Sequence, residues 1–516
     1  MGGAQGPVRP PASQDLAANI SRLQDRFPVA IEHQRSFAGL GSQIVYASSC
    51  KEGKFFDCEI ALVRFSGAIE SAFGLTREVL IFYSPHPDLQ VRTFHAAKRS
   101  LEELPRNVTP DMMFIWAPDP RLREKLDDWS TGYFLAIPLA LSDNDDPVAL
   151  ISLLRDFIYS RDLFYETTPV IGNRFFGRRQ LLQSLRDDVR NQRVVGLFGL
   201  RKAGKTSVLS QLSATISGPL TIVILRDLES LPSPPEDPIP DLLRDLVTDL
   251  RDQLESRSLS SKAMVGLTSE VGLPEFKRDL QALLRAASKD AVKFVLMLDE
   301  IEYLTPADKI DISEGEMASV AQFLGVLRSL VQENSNFTFL LSGLTSAIIE
   351  SGRLYGRPNP LFSWAKAHFL APFERYEADD LARSTGGKMG IDIEGGALEA
   401  LFEASGGHAY LYRHLASSVV SELPIDVFQR RMTRADVLTA STSWRRRIAG
   451  NLTEMLDHVR RYYPDEAVLL EILRDEPAEF GELAESLPLA LEHLLSLGLV
   501  ETAENSYQLN PILQLL

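Results

Sequence analysis

The segment Gly199-Leu200-Arg201-Lys202-Ala203-Gly204-Lys205-Thr206 follows the apolar run Val194-Val195-Gly196-Leu197-Phe198 and leads into the helix-compatible Ser207-Val208-Leu209-Ser210-Gln211-Leu212. No other stretch constrains the fold as tightly, because a glycine-bracketed turn between a buried strand and a helix calls for a layered α/β arrangement. The pattern is G-x-x-x-x-G-K-[ST], and its strand–turn–helix setting makes it a phosphate-binding loop. Gly199 and Gly204 let successive backbone N–H groups converge on phosphate oxygens at the positive end of the new helix. The expected nucleotide-binding set is Gly199, Ala203, Gly204, Lys205, Thr206 and Ser207. Lys205 is placed to reach the β and γ phosphates, and the Thr206 hydroxyl to ligate Mg²⁺ beside ATP or ADP.

A second signature lies downstream, where Lys293-Phe294-Val295-Leu296-Met297-Leu298 reads as a buried strand ending in Asp299-Glu300. Asp299 at a strand's carboxyl end is placed to hold Mg²⁺, and Glu300 to polarise an attacking water. Glu302 reads as a surface acid. Asn336 to Leu341 is a further strand, and Ser342 at its end is placed to sense the γ phosphate.

Phe176-Gly177-Arg178 opens a helix about twenty residues before the loop, and with the loop and the acid pair it resembles the STAND-type signal-transduction ATPases and the related archaeal ATPases of the AAA+ class. The resemblance covers roughly Asn173 to Leu516. It implies an α/β P-loop ASCE fold: a three-layer ATPase domain with a helical lid and a winged helix, preceded by a separate α/β domain. It further implies that Phe176, Gly177 and Arg178 contact the base side of the nucleotide. Arg357, in Tyr355-Gly356-Arg357, is implied as a phosphate-reaching arginine in its own or a neighbouring subunit. Ser405-Gly406-Gly407-His408-Ala409 is similar to the family's Gly-Gly-x-Pro lid element, from which His408 approaches the β phosphate; alanine stands at 409 where proline is usual.

The chain divides, on this reading, into a flexible tail 1–14, an α/β sensor or effector domain 15–160, a linker 161–173, the ATPase domain 174–372, a helical lid 373–450 and a winged helix 451–516. The first domain shows apolar runs at Gln43–Ala47, Cys58–Phe65, Val79–Tyr83, Met112–Trp116 and Tyr133–Leu139, with helical patterns between the last three. That order resembles the restriction-endonuclease-like fold. Arg77-Glu78-Val79-Leu80-Ile81 supplies no lysine for such a site, and Asp57 and Glu59 are weak metal candidates, so the expectation is a sensor without catalysis. His86 and His95 show no partners in the sequence.

At 516 residues, 45% apolar and 24% charged, the chain is long enough for several cores. Cys50 and Cys58 are too few for a disulfide scaffold, no Cys/His cluster has zinc-like spacing, and no stretch reads as a membrane span or signal peptide. The expected compartment is the cytoplasm. A net charge of −16 argues against broad adhesion to nucleic acid. Arg430, Arg431, Arg434 and Arg445 to Arg447 form the one basic stretch of the second half, and from Asp475 to Leu516 there is no Lys or Arg, so the final domain is expected to repel a duplex. The function implied by the resemblance is an ATP-dependent switch that hydrolyses ATP slowly, coupling nucleotide state to domain rearrangement or oligomerisation, with self-association or a partner protein as its expected partner. The alternatives are a DNA-associated AAA+ ATPase and an adaptor with a structural nucleotide.

Overall fold

The computed structural model describes residues 13–51, 53, 55–140, 147–232, 236–257, 272–305, 317–503 and 506–515. The expected N-terminal tail lies almost wholly outside them. The described chain forms two compact units, 1–165 with 382–398 and 416–437, and 166–381 with 399–415 and 438–516. The segment 373–450, read from sequence as a single lid, is therefore shared between the units.

The first unit is built on a five-stranded sheet in the order β1 (Gln43–Ser49), β2 (Glu59–Arg64), β3 (Glu78–Tyr83), β4 (Val108–Trp116), β5 (Leu135–Pro138). Strands β1 to β3 pair antiparallel, while β3, β4 and β5 run parallel. Parallel strands need crossovers, and the helices Val91–Glu103 and Leu122–Trp129 supply them. Side chains alternate across the sheet, so Val79, Ile81 and Tyr83 enter one core and Leu80 and Phe82 the other. Burial on both faces is why β3 reads as an unbroken apolar run.

Arginines neutralise the acids of this sheet. Glu59 is fully buried and accepts hydrogen bonds from Arg26 at 2.5 Å, Ser49 at 2.9 Å and Arg22 at 3.3 Å. Glu78 is clamped by Arg64 at 2.7 Å and Arg106 at 2.8 Å. Glu59 is thus a structural counter-ion rather than a metal ligand. Arg430 corrects the reading of the basic stretch: it is buried, donating to the Tyr159 and Val420 carbonyls at 3.1 and 3.0 Å. Gly74, at φ +70°, must be glycine, because a Cβ there would lie 1.7 Å from the Gly387 carbonyl oxygen.

The second unit contains a five-stranded parallel sheet made of β6 (Val195–Phe198), β7 (Thr221–Asp227), β8 (Lys293–Asp299), β9 (Phe337–Gly343) and β10 (Lys366–Phe369). Its spatial order is β10-β6-β9-β8-β7, so β9 is inserted between the loop-bearing β6 and the acid-bearing β8. That insertion, with helices on both faces, makes this an α/β P-loop domain of the ASCE, AAA+-like class. Phe198, Ile224, Leu296, Leu298, Phe339 and Leu341 share one core with the helices Ile239–Ser256, Leu273–Ser288 and Ala318–Glu333. At the C-terminus, helices Pro464–Asp475, Phe480–Ser486 and Pro488–Ser496 precede an antiparallel hairpin, Val500–Ala503 with Ser506–Leu509. Among the described residues no helix is long and apolar enough to cross a membrane.

Candidate functional site

Parallel register brings the ends of β6, β8 and β9 to one edge of the sheet, where an open α/β sheet places its ligand crevice. Leu341 lies beside Leu298 and Gly343 beside Phe198, so the loop, Asp299 and Ser342 meet. The Gly199 N–H donates to the Gly343 carbonyl at 3.3 Å, pinning the loop's start to β9. Gly204 sits at φ +104° with nothing within 4 Å of where a Cβ would stand. Only glycine reaches that backbone angle without strain, and the space above it is open.

The Thr206 hydroxyl donates to Asp299 Oδ2 at 2.7 Å. Burial pushes the Asp299 carboxyl above its ordinary range, opposed by the Thr206 and Ser342 hydroxyls and the Lys205 charge. Lys205 is buried and folded back, donating to the Gly199 and Leu200 carbonyls at 3.2 and 3.1 Å. Ser342 is fully buried, and its hydroxyl faces the Asp299 carboxylate, whose charged form it favours. The oxygen pair of Thr206 and Asp299, with that hydroxyl alongside, is the donor chemistry that suits Mg²⁺. Glu300 adopts φ +57°, and burial together with the neighbouring Glu302 carboxyl raises it well above the usual carboxylate range. Glu302 is more than a surface acid: its Oε2 accepts the Leu344 N–H at 3.0 Å, tying the acid segment to the end of β9.

His408 is buried, and its Nε2 lies 3.2 Å from the Arg201 carbonyl. A carbonyl only accepts, so Nε2 carries the proton. Burial lowers this imidazole to about 4, which keeps it neutral. The side chain therefore touches the phosphate loop through its backbone. Ala203 and Ser207 lie in and just after the loop, and Ser207 accepts the Val170 N–H at 3.1 Å.

Phe176, Gly177 and Arg178 lie on the segment that packs against Pro372 to Glu377, and the Arg178 charge is close enough to His408 to oppose its protonation. Arg178 adopts φ +60°; its N–H donates to Glu377 Oε1 at 2.6 Å and its guanidinium to the Pro372 carbonyl at 2.9 Å, lying over the Phe373 ring at 4.4 Å. Burial lowers that guanidinium to about 10. Phe176 is half-buried beside them. Glu377 also accepts the Glu374 N–H at 3.1 Å, half of a capping box at the start of helix Arg375–Gly387. That Glu three residues after the cap residue Glu374 was a readable signal for capping, but its bond to Arg178 was not. Arg357 sits exposed on the hairpin Arg353–Leu354/Arg357–Pro358.

The sequence reading did not single out two loop side chains that grip the C-terminal half of this unit. Lys202 donates to Asn451 Oδ1 at 2.7 Å and lies over the Tyr410 ring at 4.4 Å, and Arg201 pairs with Glu454 at 3.2 Å.

No protein-family model matches the sequence, and no curated protein matches it. Solved structures do. The Walker-type ATPase paby2304 of Pyrococcus abyssi superposes with a TM-score of 0.49 at 17% identity, over 68% of this chain and 98% of its own. The ORC2 protein of Aeropyrum pernix, in ADPNP-ADP complexes, gives 0.44 at 14% identity over 69% and 95%. The RuvB Holliday junction branch migration motor of Thermotoga maritima gives 0.33 at 14% over 65% and 92%. The class of the fold rests on the strand order and loop described above.

Proposed function

We propose that the protein is an ATP-dependent switch that binds and slowly hydrolyses ATP. The observation that carries this reading is the convergence of Lys205, Thr206, Asp299 and the buried Ser342 hydroxyl at one sheet edge. Thr206 and Asp299 would hold Mg²⁺, which when bound neutralises phosphate charge. Lys205 leaves its carbonyl partners to pair with the β and γ phosphates, and Ser342 donates to the γ phosphate. Glu300 in its ionised form is the group that takes a proton from the attacking water, and a cation held by Thr206 and Asp299 would favour that form.

The switch arises because the phosphate loop is bonded on its other side to the C-terminal half of the unit. Arg201 and Lys202 hold Glu454, Asn451 and Tyr410, and the Arg201 carbonyl receives His408. A nucleotide that reshapes the loop must then alter those contacts, and differential binding to two arrangements shifts their populations. Phe176 to Arg178 contact the base side of the nucleotide, Arg357 reaches a phosphate in its own or a neighbouring subunit, and self-association is the expected output.

The test is turnover and size together. Purified protein should hydrolyse ATP with Mg²⁺; Lys205→Ala should abolish nucleotide binding, and Glu300→Gln should keep binding while turnover falls about 10²–10⁴-fold. Light scattering with ADP and with a nonhydrolysable ATP analogue should give different masses. Failure of the wild type to bind either nucleotide would overturn the reading.

A further inference from the structure

The first unit brings together side chains that the sequence spacing kept apart. Asp57 and Cys58 precede β2, and His86 follows β3; since β2 and β3 are antiparallel, with Glu59 opposite Tyr83, the two segments share one edge. Neighbouring residues on a strand point to opposite faces, yet Asp57 lies in a turn closed by the Cys58 N–H on the Phe55 carbonyl at 3.0 Å, so its carboxylate turns back towards the Cys58 sulfur. The Asp57 Oδ1 to Cys58 Sγ distance is 3.7 Å and the Asp57 Oδ2 to His86 Nε2 distance is 3.5 Å. One ligand atom from each residue lies within 4.8 Å of the other two.

We propose that Asp57, Cys58 and His86 form a binding site for a transition metal of the zinc class. Metal bonds of about 2.0–2.3 Å put neighbouring ligand atoms of a tetrahedral site about 3.3–3.8 Å apart; both contacts of the Asp57 carboxylate fall in that range, and the three ligand atoms, all within 4.8 Å of one another, need only a small closure to reach it. Carboxylate, thiolate and imidazole together favour zinc or cobalt over magnesium or calcium. An Asp–His surface pair would account for the 3.5 Å contact alone. The Cys58 thiol, which donates to Asp57 Oδ1 at 3.7 Å, adds a sulfur ligand on the same carboxylate.

An access route is present. His86, with 40% of its side chain exposed, also lines a cleft of about 690 Å³ whose other groups include Phe55, Arg92, Lys98 and Arg99 against the acid Glu102. The three protein ligands leave a coordination position for water or an anion, and a cation-rich cleft on a chain of net charge −16 draws anions to it. Binding displaces the Cys58 thiol proton to solvent. This site is independent of the nucleotide loop, whose oxygen ligands belong to a hard cation.

The test is cobalt substitution on the full chain, freed of metal and kept reduced with a phosphine. Co²⁺ should bind at about one equivalent with a thiolate-to-metal charge-transfer band, because a sulfur ligand is present. Cys58→Ser should lose the band, His86→Ala should weaken binding at least about tenfold, and Cys50→Ser and Lys205→Ala should retain both. His86→Ala, at a half-exposed side chain, keeps the measurement available if Cys58→Ser fails to fold. A wild-type titration with no band would overturn the proposal, as would a band that persists in Cys58→Ser or affinity unchanged in His86→Ala.

Discussion

His408 Nε2 donates to the Arg201 carbonyl at 3.2 Å, so a neutral, buried imidazole supports the phosphate loop from behind its backbone. The bond occupies a loop carbonyl and none of the loop's N–H groups, so it holds the loop without competing with a phosphate. His408→Ala strands a carbonyl beside a cavity, and the expected cost is about 1–3 kcal/mol of stability with weaker ATP binding. Calorimetric unfolding and a nucleotide titration on the variant check both, and His408→Gln should recover part of the loss by supplying another N–H.

Asp299 should trade stability for function. Its carboxylate is buried and raised above its ordinary range, so charge there is costly when no cation is bound. Asp299→Asn is expected to leave Tm unchanged or higher without nucleotide, and to reduce Mg²⁺-dependent turnover by about 10²-fold or more. A Tm several degrees lower in nucleotide-free Asp299→Asn would contradict this account.

The pH dependence of stability should have a maximum with two imidazoles shaping opposite flanks. Burial opposes the charge on His493, but the Glu350 and Glu466 carboxylates, at 3.1 and 2.5 Å, outweigh it and push the group up to about 9. A raised folded value means that its contribution is complete below about 6.5 and is lost as pH rises through about 9. His408 is lowered to about 4, so its contribution is present above about 6.5 and is lost as pH falls towards 4. Denaturant unfolding at stepped pH should therefore show stability falling by on the order of 1–3 kcal/mol between pH 6.5 and 9, with the alkaline fall removed in His493→Gln.

Gly177 should tolerate no side chain. Its φ is +66°, and a Cβ would lie 2.7 Å from the Glu377 carboxyl that accepts the Arg178 N–H. Gly177→Ala is expected to lose about 1–3 kcal/mol through strain and displacement of that carboxyl. Thermal unfolding beside Glu377→Gln, which keeps an acceptor of nearly the same shape and should lose less, checks the cause.

Legibility in the sequence followed the range of the interactions. The loop, β8 with Asp299-Glu300, and the strands of both sheets were readable because each is written in a few consecutive residues whose apolar period or glycine placement has a local cause. Glu302 was read as a surface acid because its partner, the Leu344 N–H, lies 42 residues away. Arg430 was counted with a basic stretch because charge in a sequence carries no depth; in the fold it satisfies buried carbonyls of Tyr159 and Val420. The arginine clamps on Glu59 and Glu78 were invisible for the same reason.

The sequence by itself determined that a strand, a glycine-bracketed turn and a helix form a phosphate-binding loop, since those preferences are set by backbone sterics within a dozen or so residues. The tertiary structure alone decided what the loop touches: Thr206 against Asp299, His408 beneath Arg201, Lys202 on Asn451. It also decided that Asp57, Cys58 and His86 share one edge. Such contacts depend on strand order and register, which emerge only when buried faces from distant segments pack together, and no local pattern records them.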